Sequence, residues 1–175
     1  MATAVVFLSL PAATSGAGEA PRLDIPPTVG ALAPAVRLTP PKAVAPAPAS
    51  PTRAVFDLVN AERAMAGLAP FIADARLDLA AQRHSEDQAA HSTMTHIGSD
   101  GSNMGQRIER AGFPWRRAAE NVAFGQRTPA EVVAAWMNSA GHRNNILSVN
   151  THLGVGLAYS ASGAPYWTQN FATPP

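Results

Sequence analysis

Five histidines and one carboxylate in an apolar setting are the side chains of this chain best suited to chemistry. Glu120 follows Ala118-Ala119 and precedes Asn121-Val122-Ala123-Phe124. A carboxylate buried in such a segment needs a cation, hydrogen-bond donors or a metal beside it, because an uncompensated buried charge is costly. Arg116, Arg117 and Arg143 are available as structural partners, and catalysis or ligand binding is the competing explanation. His96 lies in the loop segment Thr95-His96-Ile97-Gly98-Ser99-Asp100-Gly101, and loops on rigid scaffolds carry function more often than helix surfaces do. His84 and His91, seven residues apart on one helix face, have a poorer spacing for chelation than four, and they read as packing or surface histidines. His142 and Ser139 stand in Trp136-Met137-Asn138-Ser139-Ala140-Gly141-His142-Arg143, and His152 opens the segment that follows. Ser139 lies three residues before His142, yet no nucleophile-elbow sequence surrounds it.

The elements that must hold these groups begin after a proline-rich stretch. Ten of the sixteen prolines lie at or before Pro51, in a segment too poor in large apolar residues to offset the entropy of ordering it. Residues 21–51 therefore read as an extended linker and 52–175 as the folded domain. In residues 1–20, the run Ala4-Val5-Val6-Phe7-Leu8-Ser9-Leu10, followed by small residues, resembles a secretory signal, although no Lys or Arg precedes it and Pro11 shortens it. The run is too short to cross a bilayer, and nothing later in the chain reaches that length. Cysteine is absent, which excludes disulfides, thiolate metal sites and a cysteine nucleophile. A net charge of +1 provides no field for polyanions, so nucleic acid is not an expected partner.

Within the folded half, Val55, Phe56, Leu58, Val59 and Glu62 follow helical spacing up to Gly67. Asp74 can cap a second helix with the small-residue stripe Ala80, Ala81, Ser85, and a short third helix begins near Ser102-Asn103. Thr128-Pro129-Ala130-Glu131 is a capping box with proline at the first helical position, and Gly141 is expected to end the helix it starts. From Leu153 the period changes to two. Leu153, Val155, Leu157 and Tyr159 alternate with Gly154, Gly156, Ala158 and Ser160, giving a strand with one bare face that another layer can approach closely. Ser160–Ala164 forms a hairpin loop, and Tyr166–Phe171 returns as a second strand. Helices followed by a meander indicate an α+β fold.

The ordered set of motifs over residues 54–172 resembles the CAP superfamily, or SCP-like domain, of cysteine-rich secretory proteins, antigen 5 and pathogenesis-related proteins of group one. It comprises Leu58-Val59-Asn60-Ala61-Glu62-Arg63, His84-Ser85-Glu86-Asp87, Thr95-His96, Gly105-Gln106-Arg107-Ile108, Glu120-Asn121-Val122-Ala123, Trp136 to Leu147, Gly154-Val155-Gly156 and Tyr166 to Phe171. The resemblance implies a three-layer α-β-α sandwich with a central antiparallel sheet, and a cleft of two histidines and two acids. By position, His96 resembles the first cleft histidine, Glu120 the first acid and His152 the second histidine. Ser139 stands where animal and plant members carry the second acid, His142 borders that gap, and Ala119 replaces the usual glycine. The resemblance thus implies a site in which His96, Glu120 and His152 could hold a divalent metal; imidazole-rich sets favour zinc. It also implies a secreted binding module for a lipid, sterol, glycan or cell-envelope ligand. The alternative is a hydrolase, with Glu120 and His96 as the candidate catalytic groups.

Overall fold

The computed structural model describes residues 49–175. The leader segment and most of the proline-rich linker lie outside the described residues. The domain starts slightly earlier than its composition indicates: Ser50 accepts a hydrogen bond from the Arg53 amide, and helix α1 runs Pro51–Met65 with proline in its first turn. The other helices are α2 (Ala75–His91), α3 (Met104–Arg110), α4 (Pro129–Asn138) and α5 (Ala140–Ile146). The strands are β1 (Ile72–Ala73), β2 (Arg117–Phe124), β3 (His152–Tyr159) and β4 (Pro165–Thr173).

Asp74 caps α2, and Thr128 with Glu131 forms the capping box of α4. Asn103 and Gln106 form another at α3. Gly141 does not end α4. That helix stops at Asn138, Ser139 turns the chain with an extended backbone, and a separate helix α5 begins at Ala140, with Gly141 inside its first turn.

The strands form one sheet in the order β1-β3-β4-β2. The three long strands are antiparallel, as expected, and the two-residue β1 adds a parallel edge against β3 that the sequence periodicity is too short to reveal. On one side α1, α4 and α5 cover an apolar core that includes Val59, Trp136, Ile146, Leu153, Trp167 and Phe171. On the other side α2 and α3 pack through Leu77, Ala80, Ile108 and Phe113. The result is a three-layer α-β-α sandwich.

The bare strand face is where α2 sits. A Cβ on Gly154 would stand 2.1 Å from the backbone carbon of Leu77, and one on Gly156 would stand 2.3 Å from that of Ala81. Helix backbone therefore touches sheet backbone, which only glycine on β3 and small residues on α2 permit. Asp78 and Gln82 accept hydrogen bonds from the Val155 and Leu157 amides at 2.9 and 3.0 Å, fixing the helix along the strand. That placement sets where His84, two turns along α2 from Leu77, meets the sheet.

Candidate functional site

The site is built at the free edge of the sheet, on β2. Adjacent residues of a strand point to opposite faces, so Glu120 and Asn121 serve opposite layers. Glu120 pairs in register with Asn170 and faces α2 and α3; Asn121 pairs with Gln169 and faces α4 and α5. Both are buried.

Glu120 is held on both carboxylate oxygens. Arg107 of α3 donates to Oε2 at 2.7 Å, and His96 Nδ1 donates to Oε1 at 2.9 Å. With its amide oriented to satisfy both ends, Asn170 adds a bond to Oε2 at 3.1 Å and accepts from the Ala81 amide at 3.1 Å. His84 Nε2 lies 3.9 Å from Oε1. The cation that neutralises Glu120 is thus Arg107, which also donates to the Ser102 and His96 carbonyls. Arg116, Arg117 and Arg143 do not supply it; Arg143 instead donates to the Met137 carbonyl and braces the α4–α5 turn. Arg107 stands beside buried Ile108 on a helix too short to show a stripe, so its only signal was the Gly105-Gln106-Arg107-Ile108 motif.

The histidines divide by environment. His84 is buried, and desolvation, opposed by the nearby Glu120 charge, holds its pKa below the ordinary histidine value. Its Nε2 lies 2.8 Å from the Thr95 carbonyl, which can only accept, so the proton resides on Nε2 and Nδ1 is bare. The His96 side chain is 56% exposed, and its hydrogen bond to Glu120 raises its pKa above the ordinary value. His142, half-buried on α5, is held below that value by burial and by the charge of His96.

Helix α5 is pinned there by side chains. Asn121 donates to the His142 carbonyl at 3.1 Å, and Asn145 donates to Asn121 Oδ1 at 2.8 Å and to the Glu120 carbonyl at 3.2 Å. At the far end of α5, Arg63 of α1 donates to the Ile146 and Ser148 carbonyls at 2.7 and 2.9 Å. The Glu-Asn pair thus divides its work: the carboxylate organises His96 and the amide organises the helix that carries His142.

His152 is not brought to this group. It opens β3, its register partner is Ala172, and the ring packs edge-on against Phe113 with centroids 5.5 Å apart. Its Nδ1 is 2.8 Å from the Thr151 hydroxyl. Since β4 lies between β3 and β2, an imidazole at the start of β3, where His152 pairs with Ile72 of β1, is two strands away from Glu120. Among the described residues no three His, Asp or Glu side chains converge as metal ligands, so the set His96, Glu120 and His152 is not assembled here. His142 stands on α5, and Glu120 already has guanidinium and imidazole partners. Two imidazoles fall short of the three protein ligands usual at a zinc centre. Ser139 makes no capping bond at the start of α5 and stands in the turn between α4 and α5.

Beside His96 and Glu120 opens a groove of ≈ 400 Å³ lined by Ile97, Asn103, Met104, Gly105 and Trp115. Trp115 lies so close over Gly105 that a Cβ there would come within 2.7 Å of its Cζ2. The Trp115 Nε1–H is buried without a partner among the described residues.

The model of the cysteine-rich secretory protein family, CAP, matches residues 56–171. The chain belongs to the CAP family. As a CAP domain it is 42% identical over 118 residues to the uncharacterized protein YkwD of Bacillus subtilis strain 168, covering 67% of this chain and 45% of that protein. It is 33% identical over 118 residues to the uncharacterized membrane protein YlbC of the same organism, covering 67% and 33%. The chain thus spans less than half the length of these relatives. The CAP domain also superposes on an extracellular protein containing an SCP domain from Bacillus anthracis strain Ames, with TM-score 0.65, 29% identity and coverage of 70% of this chain and 40% of that one. An outer surface protein of Borrelia burgdorferi shares the fold, with TM-score 0.65 and 19% identity over 70% of this chain and 92% of that one. No helix of the described residues of this CAP domain is long and apolar enough to cross a membrane.

Proposed function

We propose that this CAP domain is an extracellular binding module that takes a small amphipathic, lipid-like ligand in the groove beside His96. The observation that carries the reading is the groove itself: Ile97, Met104 and Trp115 offer apolar surface that leads to the free Nε2 of His96, with the unpartnered indole N–H of Trp115 as a second polar anchor. Small-ligand sites combine an apolar wall with a few placed polar groups in this way. Glu120 serves as the fixed support of His96, since Arg107, His96 and Asn170 all bond to its carboxylate and hold it in place. An extracellular setting is supported by the short apolar segment near the N-terminus and by the related Bacillus anthracis protein, described as extracellular.

Titration with octanoate, followed by Trp115 fluorescence and the indole N–H resonance, tests the reading. Saturable changes that are lost in Met104→Glu are expected, together with no turnover of peptide or ester substrates. Hydrolysis that disappears in Glu120→Gln would replace this reading by the hydrolase. A parallel zinc titration distinguishes the histidines: His152→Ala leaves any affinity unchanged, whereas His96→Ala and His142→Ala remove it.

A further inference from the structure

Among the described residues β2 is an edge strand, with β4 on one side and no strand on the other. The Gly125 amide donates to the Pro165 carbonyl at 2.9 Å, and Phe124 stands opposite Tyr166. Residues of an antiparallel pair alternate between bonding the neighbouring strand and facing away from it. The odd-numbered residues of β2 therefore bond β4, and Ala118, Glu120, Val122 and Phe124 present their backbone outward. The alternation ends at a bulge, where the Arg116 amide donates to the Thr173 carbonyl beside Arg117.

Side chains close the middle of this edge. Glu120 and Val122 are buried; Asn145 donates to the Glu120 carbonyl at 3.2 Å and Trp136 Nε1 to the Val122 carbonyl at 3.3 Å. Past the short β1, the other edge of the sheet is treated alike. Asp78 accepts from the Val155 amide, and Gln82 both accepts from the Leu157 amide and donates to the Leu157 carbonyl. Phe124 faces outward as well, but Gly125, with φ of +95°, turns the chain there and the strand goes no further. Ala118 differs from all of these. It is half-buried beside exposed Arg117, and among the described residues neither its N–H nor its C=O has a partner. An open N–H and C=O on an edge strand are a template for a further strand.

The charge around this open end selects the strand. Arg116 and Arg117 are exposed, and the arginine–carboxylate pairs among the described residues are those of Arg53, Arg76, Arg107 and Arg110. Residues 111–119 carry these two arginines and no acidic side chain, and Glu120 is already committed to Arg107. Two guanidiniums without counter-charges thus adjoin one open backbone pair. A free carboxylate or phosphate would meet the guanidiniums and the Ala118 N–H, but it has no donor for the Ala118 carbonyl. A peptide unit meets both backbone groups, and acidic side chains along it meet the arginines.

We infer that the Arg116–Ala118 end of β2 is a docking edge for an extended acidic peptide, which adds a short strand through Ala118 and sets carboxylates against Arg116 and Arg117. The edge works through backbone groups and exposed arginines, so it stands whether or not the apolar groove takes a lipid-like ligand. The test is titration of the full ¹⁵N-labelled chain with a capped hexapeptide of alternating aspartate and valine. Saturable movement of the Ala118 amide resonance is expected, and it is lost when every amide of the peptide is N-methylated. In the double variant Arg116→Glu/Arg117→Glu the affinity falls about tenfold. Both side chains are exposed, and an amide spectrum unchanged away from β2 verifies that the variant folds. The inference is overturned if the Ala118 resonance stays fixed, if the N-methylated peptide or one of alternating lysine and valine binds equally well, or if charge reversal leaves the affinity unchanged. Shifts confined to His96 and Trp115 overturn it as well, since they assign the peptide to the groove.

Discussion

The two faces of the central sheet are held by different physics. Towards α1, α4 and α5 the strands present Val155, Leu153, Trp167 and Phe171 to an apolar core, where shape and volume decide stability. Towards α2 and α3 the same strands present Gly154, Gly156, Thr168, Asn170 and Glu120, and the contacts are backbone on backbone or one named hydrogen bond after another. Ser85 donates to the Thr168 hydroxyl at 2.9 Å, Gln88 donates to the same oxygen at 3.1 Å, and Arg107 meets Glu120. An apolar interface accepts volume-conserving exchange. A buried polar one does not, because each partner removed leaves another unsatisfied. The candidate site sits on the less forgiving face, where precise placement of charge is already built in.

The contrast breaks most sharply at Gly154. Substitution by alanine puts a methyl 2.1 Å from the α2 backbone, so the helix must move off the sheet. The expected loss exceeds the about 1–3 kcal/mol of ordinary overpacking, and urea unfolding measures it. Next comes a matched pair. Glu120→Ala leaves the Arg107 guanidinium buried and unpaired and should cost about 3–5 kcal/mol, whereas Ile146→Val in the apolar core should cost only about 0.5–1.5 kcal/mol. Equal losses in urea midpoint would erase the distinction between the faces.

The smallest effect is a pH dependence on the polar side. The folded pKa of His96 is raised, chiefly by its bond to Glu120, so its contribution is full below the unfolded value of 6.5 and fades as pH rises through the folded value. His84 and His142 have lowered pKa values, mainly from burial, so their contributions are full above 6.5 and fade as pH falls through their folded values. His96→Gln should therefore lower stability more at about pH 5.5 than at about pH 8, with the difference modest because the ring is half exposed. NMR titration should find His96 above 6.5 and the other two below it.

Much of the architecture could be read along the chain because its causes are local. Thr128 and Glu131, and Asp74, mark helix starts through bonds that span two or three residues. The alternation from Leu153 to Tyr159 announced both a strand and the close approach of a helix to its glycine face. Elements without such local causes escaped: β1 has two residues, β2 carries no clean alternation, and α5 starts at a serine that makes no capping bond.

The sequence by itself determined the family, the fold class, most helix starts and the pairing of Glu120 and Asn121 at the heart of the site. It also placed His96 in a loop, free to turn toward a neighbour. Only the tertiary structure decided that Arg107 neutralises Glu120, that His84 packs against the same carboxylate, and that Asn121 holds the helix carrying His142 while His152 packs on Phe113. Those choices join residues far apart in the chain through sheet register and helix placement. An imidazole has the same identity on any strand or loop, and only the fold selects which neighbours it meets.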